Sequence, residues 1–342
     1  MSNKSTITIL GCGFGTALAV MFANAGHTVN VWTKFQDERD AIIRDKEHKK
    51  LLPGVKIPPG INITTDISSV GECDFLVFAI PSAVIREVAE KAAFIKAKTI
   101  VNVGKGFEEK THKLQSEVIA EFFPRSPVVV LTGPCHAEEV GRGMPTTVTC
   151  ASKDTAAALT VQEKLQNEWF RIYLSDDVVG CELGGALKNP IALCCGIVQG
   201  MGYGDNTLAA LMTRGLAEIT RLGVSMGAKW ETFTGLSGIG DLIVTCTSRH
   251  SRNHRAGVMI GEKAMPAKEA VKHVGTVEGY ACAKIASEIA KERGVSVPII
   301  DRLCAICFDN ALPIEALKML MGRPHRNEKE EYWAVDGQLT NN

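Results

Sequence analysis

The opening of the chain restricts its fold more than any other stretch. Residues 6–10, TITIL, have the β-branched apolar character of a short buried strand, and the glycine-rich run GCGFG follows at once. A helical stretch, TALAVMFANAG, closes on Gly26, a residue suited to ending a helix, and HTVNVW then reads as a second strand. A strand, a glycine turn, a helix and a strand in succession form the unit from which parallel sheets are built. Gly11, Gly13 and Gly15 stand in the turn. Without side chains there, backbone N–H groups can approach a pyrophosphate, and the helix N-terminus adds a favourable partial positive charge. A tight structural turn would use the same glycines, but their place directly after the first strand favours a dinucleotide. The spacing is GxGxG rather than GxGxxG, with Thr16 where the last glycine or alanine belongs, so the loop is expected to be one residue tighter than usual.

The strand and helix alternation continues. Further strands are expected at 75–80, 99–103, 128–131 and 146–150, with helices at 83–94 and 113–122. After about Ser175 strand signals fade, and helices are expected at 182–199, 207–226, 267–274 and 279–293. The fold class is therefore α/β: an N-terminal Rossmann-type, doubly wound, mostly parallel sheet followed by an all-α C-terminal domain. The expected domains are residues 1–176 and 177–335, with 336–342 as a flexible, polar tail. A chain of 342 residues is long enough for two cores.

Charge and cysteine content narrow the function classes. Thirty-eight basic residues balance thirty-eight acidic ones, so no overall field would recruit nucleic acid or an anionic membrane. The eleven cysteines show no paired spacing of the kind that clamps zinc; Cys304 and Cys307 have no companion pair, and no metal site is expected. Thiols scattered through apolar stretches suit a reduced, cytoplasmic protein. The N-terminus enters a strand pattern rather than a leader, and no uninterrupted run of about 18 apolar residues suggests a membrane span.

Candidate chemistry gathers after the strands and at the start of the helical half. The second strand ends Val31-Trp32-Thr33-Lys34 with no acid at its tip to take the ribose hydroxyls of NAD. Lys34 either meets the extra phosphate of NADP or is simply solvated, which leaves NAD or NADP with a slight lean to NADP. Residues 102–108 and 133–139 follow strands, where open α/β sheets bind ligands. Lys188 lies in a helical stretch rich in Gly, Ala, Leu and Cys. Such a lysine is either a structural ion pair or snorkelling side chain, or a proton donor whose pKa is lowered by burial and by a second cation such as Lys105. Asp241 offers a carboxylate to orient it, and Arg252, in the polar loop SRHSRNHR, offers a fork of donors to a phosphate.

GCGFGTALA, KKLLPGV, AIPS, GKGFE, GPCHAEEV, ELGGALKN, GIGDLIVTCTSRHSRN, GTVEG and LMGRP follow one another in the chain. Together, over roughly residues 6–325, they resemble the landmarks of bacterial-type NAD(P)-dependent glycerol-3-phosphate dehydrogenase, and ALKN with SRN is the most specific part. The resemblance implies hydride transfer between NAD(P)H and dihydroxyacetone phosphate giving sn-glycerol 3-phosphate, supply of glycerophospholipid synthesis, and a homodimer. It makes Lys188 the acid–base group and gives Lys105 contact with both substrate and cofactor. Gly133, Cys135, Asn189, Asp241, Ser251, Arg252 and Asn253 match substrate-contacting positions, with Asn189 and Asp241 expected to position the lysine. Gly11, Gly13, Phe14, Gly15, Lys34, Ala137, Arg252 and Glu278 fall at cofactor positions. Cys135 stands in place of a serine, Leu51 in place of an aromatic residue, and Pro190 in place of a valine. Pro190 is expected to kink its helix unless Lys188 lies in the first turn. Two other readings of the chain are a related hydroxy-acid or hydroxyacyl dehydrogenase and a non-catalytic nicotinamide-binding redox sensor.

Overall fold

The computed structural model describes residues 4–263, 265–325 and 328. The chain divides into two compact units, Met1–Val178 and Val179–Asn342, just beyond the expected boundary. The expected tail at 336–342 lies outside the described residues.

Among the described residues the first unit is built on eight strands: β1 (Thr6–Leu10), β2 (Thr28–Trp32), β3 (Asn62–Thr64), β4 (Cys73–Phe78), β5 (Ala97–Asn102), β6 (Val128–Thr132), β7 (Thr146–Ala151) and β8 (Phe170–Ser175). They lie in the order β3-β2-β1-β4-β5-β6-β7-β8. All neighbours run parallel except β6 and β7. The chain winds outwards from β1 in both directions, so the turn after β1 sits at the switch point where such sheets bind ligands. Helices α1 (Phe14–Asn24), α2 (Gln36–Asp45), α3 (Ile85–Ala92), α4 (Gln115–Phe122), α5 (Ala137–Gly141) and α6 (Thr155–Leu165) complete the unit.

Alternation along the strands explains the two layers of helix. Phe75, Val77, Val101 and Val129 point into one core with α1 and α6, whereas Leu76, Phe78 and Ile100 point into another with α3 and α4. A sheet buried on both faces needs near-continuous apolar strands, and CDFLVF and TITIL supply them.

The second unit is helical: α7 (Val178–Gly200), α8 (Asp205–Ser225), α9 (Trp230–Phe233), α10 (Asp241–Thr247), α11 (Arg252–Lys263), α12 (Ala267–Val274), α13 (Glu278–Arg293), α14 (Pro298–Phe308) and α15 (Pro313–Met321). Helix α7 takes its first residue from the other unit, and a π-helical turn, Leu236–Gly240, leads directly into α10. By length and mean hydropathy, 1.2 over its most apolar window, α7 is long and apolar enough to cross a membrane, which the sequence reading did not foresee. That window is wholly buried, as a central helix of an all-α unit must be.

Two pairs of glycines lock α7 to α11. A Cβ on Gly196 would lie 2.1 Å from the His254 carbonyl oxygen, and one on Gly257 would lie 2.2 Å from that of Leu193. One turn further on, Gly200 and Gly261 meet Val258 and Ile197 carbonyl oxygens in the same way, at 2.4 and 2.1 Å. Only residues without side chains permit backbones to approach so closely.

Candidate active site

In the first unit, Gly11 closes β1 with φ +111° and donates its N–H to the Trp32 carbonyl at 2.8 Å. A Cβ there would fall 2.4 Å from the Ala79 carbonyl oxygen, so the turn tolerates no other residue. Gly13 is the N-cap of α1, and a Cβ on it would meet nothing nearer than Leu51 Cδ1 at 4.0 Å. Its missing side chain therefore leaves the helix N-terminus approachable. Gly15 departs from expectation: it lies inside α1 rather than in the turn, where a Cβ would sit 2.8 Å from Ile9 Cγ2. It supplies the close helix-to-strand packing usually given by the last glycine of the longer motif. The short loop is accommodated because α1 begins immediately after Gly13, with Phe14 packed on the core and Thr16 Oγ1 donating to the Cys12 carbonyl.

No acid ends β2, yet a carboxylate reaches its tip. Glu38, in α2, accepts from Thr33 Oγ1, and its Oε1 lies 3.2 Å from His48 Nε2. His48, with help from Thr33, holds that carboxyl below the usual range. Burial and then Glu38 push the neighbouring Cys12 thiol up to about 12. Glu38 was missed because it belongs to a helix, several residues beyond the strand end where the sequence reading looked for it. Lys34 is exposed and forms an ion pair with Glu87 at 3.2 Å.

Lys105, Gly133 and Cys135 come together at the carboxyl ends of β5 and β6. Asn102, the last residue of β5, folds the turn by accepting the Gly104 N–H on Oδ1 at 3.0 Å. The Lys105 ammonium then donates to the Gly133 carbonyl at 2.9 Å and lies 3.6 Å from Cys135 Sγ. Cys135 Sγ donates to the same carbonyl at 3.1 Å. Gly133 is in the left-handed region, φ +139°, and a Cβ there would press on Val148 Cα at 3.1 Å. Ala137 opens α5 and packs on the core beside this group.

In the second unit, Lys188 lies well inside α7 and its side chain is 6% exposed. Its ammonium donates to Asp241 Oδ1 and to Thr245 Oγ1, the latter at 2.7 Å. Thr245 in turn donates its hydroxyl proton to the Asp241 carbonyl at 2.6 Å, so its oxygen faces the ammonium as an acceptor. Thr245 was missed, although Asp241 and Thr245 at i and i+4 share one helix face. A glycine brings α7 against the π-helical turn before α10: a Cβ on Gly184 would lie 2.3 Å from the Ser237 carbonyl oxygen, and within that turn one on Gly238 would lie 2.1 Å from the Phe233 carbonyl oxygen at the end of α9.

Asn189 does not position the ammonium. Its Oδ1 accepts from Asn253 Nδ2 at 2.9 Å and its Nδ2 donates to the Gly185 carbonyl at 3.4 Å, because the next residue along α7 points to a different face. Asn253 Oδ1 accepts the Gly279 N–H at 2.8 Å, one of the donors that a helix start leaves without a partner in its own helix. The SRHSRNHR segment is not all loop: α11 begins at Arg252, which is exposed, and Ser251 Oγ accepts the His254 N–H at 3.2 Å in the N-cap position. Glu278 opens α13. Pro190 lies deep in α7, which runs on unbroken to Gly200, so the alternative in which Lys188 occupies the first turn does not apply.

A buried ammonium fixed by a carboxylate and a hydroxyl can give a proton to, or take one from, an oxygen brought beside it. Residues 6–158 match the family model for the N-terminus of NAD-dependent glycerol-3-phosphate dehydrogenase, and residues 177–318 match the model for its C-terminus. The chain belongs to the NAD-dependent glycerol-3-phosphate dehydrogenase family. Within that family it is 48% identical to the glycerol-3-phosphate dehydrogenase (NAD(P)+) of Desulfitobacterium hafniense over 95% of this chain and 93% of the relative. It is 47% identical to that of Agathobacter rectalis over 95% of this chain and 98% of the relative. The crystal structure of glycerol-3-phosphate dehydrogenase from Coxiella burnetii superposes with a TM-score of 0.88 at 34% identity, covering 94% of this chain and all of the other. As a glycerol-3-phosphate dehydrogenase family member, the chain is an oxidoreductase.

Proposed function

We propose that this protein interconverts dihydroxyacetone phosphate and sn-glycerol 3-phosphate with NAD or NADP, using Lys188 as the acid–base group. The single observation that carries this reading is the buried Lys188, Asp241 and Thr245 cluster in a chain of this family. The glycine turn after β1 fits a dinucleotide: Gly11 and Gly15 are spent on close packing, whereas Gly13 leaves the start of α1 open. Gly11, Gly13, Phe14, Gly15, Ala137 and Lys34 would hold the cofactor, together with Lys105, Arg252 and Glu278. When bound, the nicotinamide supplies or accepts the hydride.

The chain's own groups orient the substrate and move the proton. Lys188 protonates the C2 oxygen of dihydroxyacetone phosphate during reduction and takes that proton back from the alcohol during oxidation. Asp241 and Thr245 hold the ammonium along one direction throughout. Lys105, with the Gly133 and Cys135 acceptors around it, supplies a cation for the substrate. Arg252 takes the phosphate through its fork of donors. Ser251, Asn189 and Asn253 serve the same segment by fixing the start of α11 and the lysine-bearing turn.

Eleven free cysteines support a reducing compartment, and we place the enzyme in the cytoplasm, as a homodimer that supplies glycerol phosphate for phospholipid synthesis. The test is direct: dihydroxyacetone phosphate is added to the protein with NADH or NADPH, and loss of absorbance is followed. Oxidation of either cofactor supports the reaction, and the ratio of the two rates selects the cofactor. A folded protein that binds cofactor but turns over neither would be a redox sensor instead.

A further inference from the structure

We infer that Cys282 is a positioning residue for the lysine-bearing turn of α7, because its thiol takes over the carbonyl that Pro190 deprives of a helix partner. In an α-helix the N–H of residue 190 would bond to the carbonyl of residue 186. Proline has no N–H, and its ring crowds that same carbonyl. Ala186 is fully buried, so bulk water is no substitute, and an unsatisfied carbonyl there is costly. Cys282 Sγ, on α13, donates to the Ala186 carbonyl at 3.3 Å. The thiol is itself buried, and burial raises its pKa far above the ordinary value, which keeps the donor proton on sulfur across the working pH range.

The approach of α13 is built for this contact. Gly279 and Cys282 lie one turn apart on one face of α13. A Cβ on Gly279 would come 2.5 Å from the Asn189 carbonyl oxygen, so only glycine lets the two helices close. Asn253 ties the same junction together, donating to Asn189 and accepting from Gly279. The stretch 186–190 is therefore gripped at both ends, by Cys282 at Ala186 and by Asn253 at Asn189, with Lys188 between the two grips. A helix that has lost a rung of its ladder admits water or bends at that point. Here the thiol occupies the place where water would enter.

The catalytic part of this inference rests on Lys188 being the acid–base group, whereas the structural part does not. The test is a double-mutant cycle on the full chain, comparing Cys282→Ala and Cys282→Ser in the parent and in Pro190→Ala, which restores the missing N–H. In the parent, Cys282→Ala is expected to lower the melting temperature and to reduce kcat about tenfold with KM within about twofold, as a small misplacement of a reacting group does. Its kcat–pH profile should shift, and Cys282→Ser, which keeps a donor, should restore both rate and profile. In the Pro190→Ala background, Cys282→Ala should lower the melting temperature by less than in the parent, losing only the packing of the sulfur, and should leave kcat unchanged, because the helix supplies its own donor. Equal losses in both backgrounds would show that the thiol acts only by filling space, and would overturn the inference. Coupling in melting temperature with kcat unaffected in every variant would overturn the positioning role while leaving the paired contact. If Lys188→Ala retained activity, the acid–base reading would fall, but the melting-temperature cycle would still report on the thiol and the proline.

Discussion

The two units hold Lys105 and Lys188 in different surroundings. Lys105 stands half-buried at the strand ends and donates to a backbone carbonyl, a neutral acceptor delivered by a left-handed glycine. Lys188 is buried within a helix and donates to the carboxylate of Asp241, which is itself 1% exposed. A neutral acceptor fixes the direction of an ammonium and adds no charge of its own, which fits the substrate-binding role proposed for Lys105. A carboxylate both fixes and balances the ammonium where an isolated charge would be intolerable, which fits the acid–base role proposed for Lys188. The two roles proposed for these lysines would thus follow from the different surroundings that the fold supplies.

The largest effect should come from breaking the buried pair on the chemical side. Lys188→Met is expected to lower kcat by at least about a thousandfold, the scale of a lost acid–base group, with NADH affinity by fluorescence nearly unchanged. Residual activity near the parent level would remove Lys188 from the reaction. Breaking the pair from the other side, Asp241→Leu leaves an ammonium buried without its counter-ion and should destabilise the protein by about 3–5 kcal/mol in denaturant unfolding. Lys105→Ala should cost less, about a hundredfold in kcat/KM, with little change in unfolding midpoint, since Lys105 is only half-buried. If its stability loss matched that of Asp241→Leu, the contrast between the two lysines would fail.

Another buried carboxyl of the helical unit, that of Glu218, sharpens the comparison. Glu218 on α8 accepts the Ile299 and Ile300 N–H groups at the start of α14, at 2.9 and 2.8 Å, and burial pushes its carboxyl up to about 7. Because the folded pKa exceeds the ordinary value of 4.5, its contribution is complete below about pH 4.5 and is lost as pH rises through about 7. Stability should therefore fall by up to about 3 kcal/mol over that window, and Glu218→Gln should flatten the slope in pH-dependent unfolding. The smallest effect is expected at the exposed Lys34, whose pair with Glu87 is worth little. Lys34→Ala should alter the ratio of NADPH to NADH turnover by only a few-fold and leave unfolding unchanged.

Legibility in the sequence followed burial. The central strands β1, β4 and β6 are buried on both faces and read as apolar runs, so they could be placed within a few residues. The edges were harder: β3 has only three residues, and β8 exposes Arg171 and Tyr173, so neither carries the apolar run of a doubly covered strand. The first turn of α11, RNHR, has the composition of a polar loop, and the buried positions of Asn253 and His254 depend on packing that composition does not express. Lys188 could be singled out because a lysine in apolar surroundings needs a reason, and Asp241 because such a lysine needs a carboxylate to orient it. Thr245 could not, since a threonine in a short apolar helix is unremarkable until a lysine from elsewhere in the chain is brought against it. The displaced role of Gly15 likewise depends on where α1 starts, a boundary of one or two residues that periodicity leaves open.

The glycine contacts between α7 and α11 also set a timescale. Side chains that interdigitate can exchange rotamers and let helices slip, whereas two backbones in direct contact at Gly196, Gly257, Gly200 and Gly261 have no such freedom. The two helices should consequently open as one cooperative block, and their amides at these crossings should exchange with solvent deuterium only when the whole helical unit unfolds, long after α15 and the outer turns have exchanged.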